Sequence, residues 1–279
     1  MTDRPIIELD GLKVRYGRLT AVEDLTLGVP QGSVYALLGR NGSGKSSTVR
    51  CLLGQQRPTA GTARVFGLDA WSDRRRIMSD VGVVPETPNI PPEMTADQLE
   101  RFLLRIATSW DRYKFFSRLE RFGVPTGTRF SRLSKGQQRQ LSLTAAISAS
   151  PQILILDDPT LGLDAIARRE LFEELVVELA DRGTTVLITT HDLAGVEGIA
   201  DRVGILMDGR LLVNEPLEEL KERFYRLVQE PSAELQDALH AAAGGGLATA
   251  PPALPPLTGK ALSLEEIFIA LCGRNGGAQ

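Results

Sequence analysis

An eight-residue loop limits this chain more than any other feature. Gly39-Arg40-Asn41-Gly42-Ser43-Gly44-Lys45-Ser46 follows the wholly apolar run Val34–Leu38 and opens a stretch of helix-compatible residues beginning at Lys45. A five-residue run with no polar face suits a buried parallel strand. The pattern G-x-x-x-x-G-K-[ST] between such a strand and a helix folds backbone N–H groups around phosphate oxygens. The positive end of the helix adds to the attraction. In that arrangement Lys45 reaches the β- and γ-phosphates of a nucleotide, the Ser46 hydroxyl ligates Mg²⁺, and Ser47 continues the helix beneath the phosphates.

The rest of the chain alternates strand and helix signals, which predicts an α/β domain with a largely parallel sheet. Ile6–Leu9 and Leu12–Tyr16 flank Asp10-Gly11, a dipeptide that predicts a hairpin turn there. The first helix is expected from Lys45 to about Leu53, stopped by Gly54 with Pro58 beyond. Residues 72–150 read as mostly helical. Thr95 and Gln98 form a capping box ahead of Leu99, Phe102, Leu103 and Ile106 at helical spacing. Ile153–Leu156, Thr185–Thr189 and Val203–Met207 read as strands, and Asp208-Gly209 turns the last back into Leu211–Val213. Between the first two, Leu171, Leu175 and Leu179 mark one face of a helix ending at Gly183. Residues 241–257 form an Ala/Gly/Pro-rich linker, and Leu262–Leu271 a short amphipathic helix.

Composition narrows the function classes. Of 279 residues, 42% are hydrophobic and 24% charged, and no run of 18 apolar residues suggests a bilayer span. The N-terminus lacks the apolar core of a signal peptide. A net charge of −3 without a long Lys/Arg run argues against nucleic acid as partner. Cys51 and Cys272 show no metal or redox spacing, as expected for a reduced, intracellular protein.

Two further clusters carry chemistry. Ile153–Leu156 ends in Asp157-Asp158-Pro159. A carboxylate closing a buried strand can hold Mg²⁺, a role that falls to Asp157. The next, Asp158, can orient or deprotonate an attacking water. Leu133-Ser134-Lys135-Gly136-Gln137 holds a second capping box, Ser134 with Gln137, opening a helix to about Ser150.

These motifs together resemble the ABC ATPases, in which the Leu133–Gln137 segment is the signature. The resemblance spans residues 6 to 220, with further elements in family order. Tyr16 stands where an aromatic stacks on adenine, and Val84-Pro85-Glu86 resembles the Q-loop. Pro159 to Asp164 resembles the D-loop, and Thr190-His191-Asp192 the switch histidine. The resemblance implies a P-loop NTPase core with an N-terminal antiparallel β lobe, an inserted α-helical lobe at roughly 87–150 and a small C-terminal extension. On that reading residues 1–220 form the ATPase domain and 221–279 the extension.

By the same resemblance the ligands are ATP and Mg²⁺. Gly39, Arg40, Asn41, Gly42, Ser43, Gly44, Lys45, Ser46 and Ser47 hold the phosphates, with Tyr16 on the base. Ser134, Gly136, Gln137 and Asp164 are expected to meet the nucleotide of a second ATPase subunit, in a homodimer or heterodimer. Ser46, Glu86 and Asp157 serve the metal, and Lys45, Glu86, Asp158 and His191 are the catalytic set. The implied partner is a transmembrane permease, with this subunit peripheral on the cytoplasmic face. Glu86 and the tail Leu262–Leu271 are similar to the ABC-2-type exporter branch.

Three residues depart from the family pattern. Asp158 stands where glutamate is usual, one methylene shorter, and a catalytic group misplaced by ~1 Å can lose ~10²-fold in rate. Lys135 replaces a glycine of the signature, and Glu86 replaces a glutamine. The Asp158 departure keeps a second expectation open, an ATP-binding but slowly or non-hydrolysing regulatory subunit. A third is an ABC ATPase with no transport role.

Overall fold

A computed structural model describes residues 5–227, 248–249 and 259–273. Its framework is a ten-stranded sheet. Strands β3 (Val34–Leu38), β6 (Val81–Val84), β7 (Ile153–Asp157), β8 (Thr185–Thr190) and β9 (Arg202–Met207) form its parallel part, in the order β9-β3-β8-β7-β6. All five residues of β3 are buried, as an apolar run without alternation requires.

Beyond β9 the pairing is antiparallel at every step except one, where the strand after the Asp208-Gly209 turn runs parallel to Leu19–Val29. β10 (Arg210–Pro216) returns from the Asp208-Gly209 turn, where both residues have positive φ (48° and 77°). That is the backbone of a two-residue hairpin that asparagine, aspartate and glycine favour. Then follow β2 (Leu19–Val29), β1 (Ile7–Tyr16), β4 (Ala60–Val65) and β5 (Leu68–Asp69). The sheet is therefore mixed, with its parallel block under the phosphate loop.

The first hairpin turns elsewhere than expected. β1 runs straight through Asp10-Gly11, and the chain reverses at Gly17-Arg18, between Tyr16 and its partner Leu19. Leu9 pairs with Leu27 and Leu12 with Leu25, so β1 spends one residue more than β2. This is a β-bulge, with Gly11 at φ 56°. The reason is burial. Leu9 and Leu12 are three apart and would point to opposite faces of a regular strand. The extra residue lets Ile7, Leu9, Leu12 and Val14 all turn inward, at 1% exposure or less.

The middle of the chain is less uniformly helical than expected, because β6 lies within it and pairs with β7. Around that strand come α3 (Ala96–Ile106), α4 (Arg112–Arg121) and α5 (Lys135–Ser148). Both expected capping boxes are present, at Thr95/Gln98 and at Ser134/Gln137. Leu99, Phe115, Leu119 and Leu141 make a core separate from the two that flank the sheet. On α3 only part of the apolar set faces that core: Phe102 and Ile106 are 52% and 62% exposed.

The first helix, α1 (Lys45–Leu52), is followed by Gly54 at φ 59°. Helix α6 (Ala165–Arg182) buries Leu171 and Leu175, while the side chain of Leu179 lies outside the described residues. Helix α7 (Leu193–Glu197) follows β8, and α8 (Leu217–Arg223) follows β10. Of the expected linker at 241–257, only Ala248–Thr249 (β12) is described. It pairs with β11 (Phe224–Leu227), which also pairs with β13 (Gly259–Ala261). The final helix, α9 (Leu264–Cys272), starts at a third capping box, Ser263 with Glu266. It rests on α7, where Leu264 N donates to Glu197 Oε2 at 3.1 Å.

Candidate nucleotide-binding site

The phosphate loop joins the end of β3 to α1, and its shape depends on glycine. A Cβ on Gly39 would lie 2.4 Å from Ser43 Oγ and 2.5 Å from the Leu206 carbonyl. Gly44 has φ 110°, and its Cβ would meet the Ala21 carbonyl at 2.5 Å. No other residue fits either position without moving backbone. Lys45 is 7% exposed, and its Nζ donates to the carbonyls of Gly39 (2.7 Å) and Arg40 (3.2 Å). Burial lowers its pKa, while the carboxylates of Asp158, Asp157 and Glu86 oppose that shift.

Parallel pairing of β7 with β8 sets Asp157 beside Thr189. The Thr189 hydroxyl donates to Asp157 Oδ1 at 2.5 Å, and Ser46 Oγ lies 3.4 Å from the same oxygen. Asp158 sits at φ 49°, a left-handed conformation that aspartate tolerates better than most residues. Its N–H donates to the Thr189 carbonyl at 2.9 Å, and its Oδ2 lies 2.9 Å from His191 Nδ1. The next carboxylate after the strand thus faces the histidine that follows β8.

A cleft of about 440 Å³ gathers most of the expected residues. Asn41, Gly42, Gly44, Lys45, Ser46 and Ser47 line its floor; Tyr16, Glu86, Asp157, Asp158 and His191 line its walls. Gly39, Arg40 and Ser43 shape the loop without lining the cleft. Hydroxyl and carboxylate oxygens from Ser46, Asp157 and Glu86 on one cleft form a donor set suited to Mg²⁺. That ion takes oxygen ligands, keeps several waters and binds together with phosphates. Among the described residues no group of three His, Cys, Asp or Glu side chains forms a metal cage of its own.

Ser134, Gly136, Gln137 and Asp164 stand apart from this cleft. Ser134 Oγ accepts from Gln137 N at 3.1 Å, and Gln137 Oε1 accepts from Ser134 N at 3.1 Å. Asp164 caps α6, its Oδ1 accepting from Ala167 N at 2.9 Å. The starts of α5 and α6 adjoin: a Cβ on Gly162 would lie 3.8 Å from Lys135 Cδ. Ser134 and Asp164 are exposed.

Two residues at the site escaped the sequence reading. Thr189 reads as one more residue of a buried strand, and only the β7–β8 register gives its hydroxyl a partner. Arg139, 5% exposed on α5, donates through one guanidinium nitrogen to the Pro85 carbonyl at 2.6 Å and through another to the Glu86 carbonyl. Its only sequence signal is a charge on the inward side of a helix.

A parallel sheet with this loop at the end of β3, and two aspartates at the end of β7 one strand beyond β8, defines a P-loop nucleotide-binding domain. The pattern of the ABC transporter family matches residues 22–161, and the chain belongs to that family. Among curated relatives, the bacitracin transport ATP-binding protein BcrA of Enterococcus faecalis is 34% identical over 220 residues, 78% of this chain and 71% of that one. The daunorubicin/doxorubicin resistance ATP-binding protein DrrA of Streptomyces peucetius is 36% identical over 220 residues, 77% of this chain and 66% of the relative. The solved ATP-binding subunit of an ABC transporter has the same fold, with a TM-score of 0.72 at 24% identity over 95% of this chain and 99% of that one. The dimeric cassette MJ0796 superposes with a TM-score of 0.69 at 23% identity, over 76% and 98%. No helix among the described residues is long and apolar enough to cross a membrane.

Proposed function

We propose that this chain binds and hydrolyses ATP to power export of a substrate through a separate membrane-spanning subunit. The observation that carries the reading is one cleft holding Lys45, the Ser46–Asp157 pair and the Asp158–His191 pair. Lys45, now bonded to its own loop's carbonyls, turns its charge to the β- and γ-phosphates when nucleotide fills the loop. Tyr16, 39% exposed at the hairpin tip, offers its ring to the base. Asp158 accepts the proton of the attacking water, and His191 holds that carboxylate and faces the γ-phosphate. Mg²⁺, held by Ser46, Asp157 and Glu86, would neutralise charge developing on the phosphates.

Ser134, Gly136, Gln137 and Asp164 serve the nucleotide of a second subunit, since none of them lines their own cleft. ATP then closes the pair and shifts a two-state equilibrium. The membrane partner docks on the face beside Glu86, where a groove of about 290 Å³ includes Val83, Pro85, Ile90, Leu99 and Leu103. Exposed Phe102 and Ile106 extend that apolar surface, which an isolated subunit would leave wet. Export is the direction in the names of similar proteins, such as the Nod factor export ATP-binding protein I of Ralstonia nicotianae, 34% identical over 221 residues.

The test is Lys45→Ala. It should abolish phosphate release and fluorescent ATP-analogue binding while the thermal melt stays cooperative. Wild-type turnover in that variant rejects the assignment.

A further inference from the structure

We infer that Arg139 is a positioning residue that fixes Glu86 for the metal ion and ties it to the helix bearing Ser134. The inference rests on the proposed ATPase reading and deepens it. Pro85 and Glu86 follow β6 in a segment with no ladder partner for their carbonyls. Both carbonyls accept from the one Arg139 guanidinium. That group comes from α5, five residues after Ser134, and it is buried. A planar fork with several fixed donors can hold two carbonyls at once, which a lysine ammonium does with far less geometric definition.

Charge points the same way. Burial lowers the pKa of Arg139 as it does that of Lys45, and the carboxylates that oppose the shift are the same three, Asp158, Glu86 and Asp157. Two cations therefore face three carboxylates. Lys45 is the one that leaves for the phosphates when nucleotide binds, and Arg139 stays. Glu86 itself is exposed and reaches the cleft only from the backbone that Arg139 holds. Release of that backbone lets the carboxylate drift, and a drift of ~1 Å at a reacting centre is worth up to ~10²-fold.

The link also has a direction. Its outer end is the start of α5, which is exposed and lies outside its own cleft; its inner end is the metal side of that cleft.

The measurement is binding of a fluorescent ATP analogue to the full chain, titrated with Mg²⁺, for wild type, Arg139→Gln, Arg139→Lys, Glu86→Ala and the Arg139→Gln/Glu86→Ala pair. Arg139→Gln should raise the half-saturating Mg²⁺ concentration about tenfold, with metal-free analogue affinity changed less than about twofold. Arg139→Lys should fall between it and wild type. The double variant should be no worse than Glu86→Ala alone, because Arg139 acts through Glu86. Additive losses, or an unchanged Mg²⁺ requirement in Arg139→Gln, overturn the inference. If Arg139→Gln loses cooperative unfolding, Arg139→Lys against Glu86→Ala decides the same question. Lys45→Ala separates the two levels: normal analogue binding there removes the ATPase reading itself, whereas loss there with additive Arg139 effects removes only this inference.

Discussion

Asp158 is the residue where physical chemistry most sharply tests the site. Its shorter carboxylate already lies 2.9 Å from His191 Nδ1, and its backbone is left-handed at φ 49°. Aspartate and asparagine accept that conformation at low cost, and a longer side chain gains nothing from it. Both the left-handed backbone and the short contact favour aspartate here. Asp158→Asn should keep the backbone and the fold but stop hydrolysis, since an amide cannot take the proton of water. Asp158→Glu should lower turnover several-fold, because the extra methylene pushes the carboxylate past His191. Phosphate release by the three proteins is the assay. A faster Glu variant means the aspartate sits too far back, and an Asn variant at the wild-type rate removes Asp158 as base.

At the scale of elements, the helices around α5 are joined by charge as well as by apolar packing. Arg118 of α4 is 7% exposed and bonds to Glu174 and, at 3.1 Å, to Glu178 of α6, which are 2% and 1% exposed; Arg121 also pairs with Glu174. Such a network adds little net stability over an apolar core, but removing one member leaves charge buried. Arg118→Ala should cost about 3–5 kcal/mol. For a chain of this size that lowers the melting temperature by roughly 10 °C. Circular dichroism melts of wild type and Arg118→Ala decide it, and an unchanged melting temperature means the carboxylates find water or another partner. The capping boxes at α3 and α5 were legible from residue spacing, since a cap depends on only four consecutive residues; the one at α9 emerged only in the structure. The bulge at Asp10-Gly11 was not. Its dipeptide is a good turn, and only the need to bury both Leu9 and Leu12 against the sheet converts it into a bulge.

For the whole molecule, the exposed starts of α5 and α6 lie together and outside the cleft. ATP with Mg²⁺ should therefore bring two copies together in the Asp158→Asn variant, and light scattering should report the doubled mass. Ser134→Ala in that background should bind nucleotide normally yet stay monomeric. Losing the cap costs only about 1 kcal/mol, too little to unfold α5, so a dimer that persists would falsify the role of Ser134 across the interface. The features legible from residue order alone are local. Gly39 to Ser46 form a phosphate loop because glycine backbone and a helix start suffice to make one. Asp208-Gly209 turns because both residues accept positive φ, and the helix starts are written in their caps. Every meeting of distant segments came instead from the folded arrangement. The bulged hairpin carries Tyr16 to the cleft, the β7–β8 register gives Asp157 the hydroxyl of Thr189, and α5 brings Arg139 onto the carbonyls of Pro85 and Glu86. The reason is range. A turn or a cap is chosen by a few neighbouring dihedrals and hydrogen bonds, whereas strand order, register and a buried guanidinium's partners follow from how the entire chain hides its apolar surface and satisfies its buried polar groups.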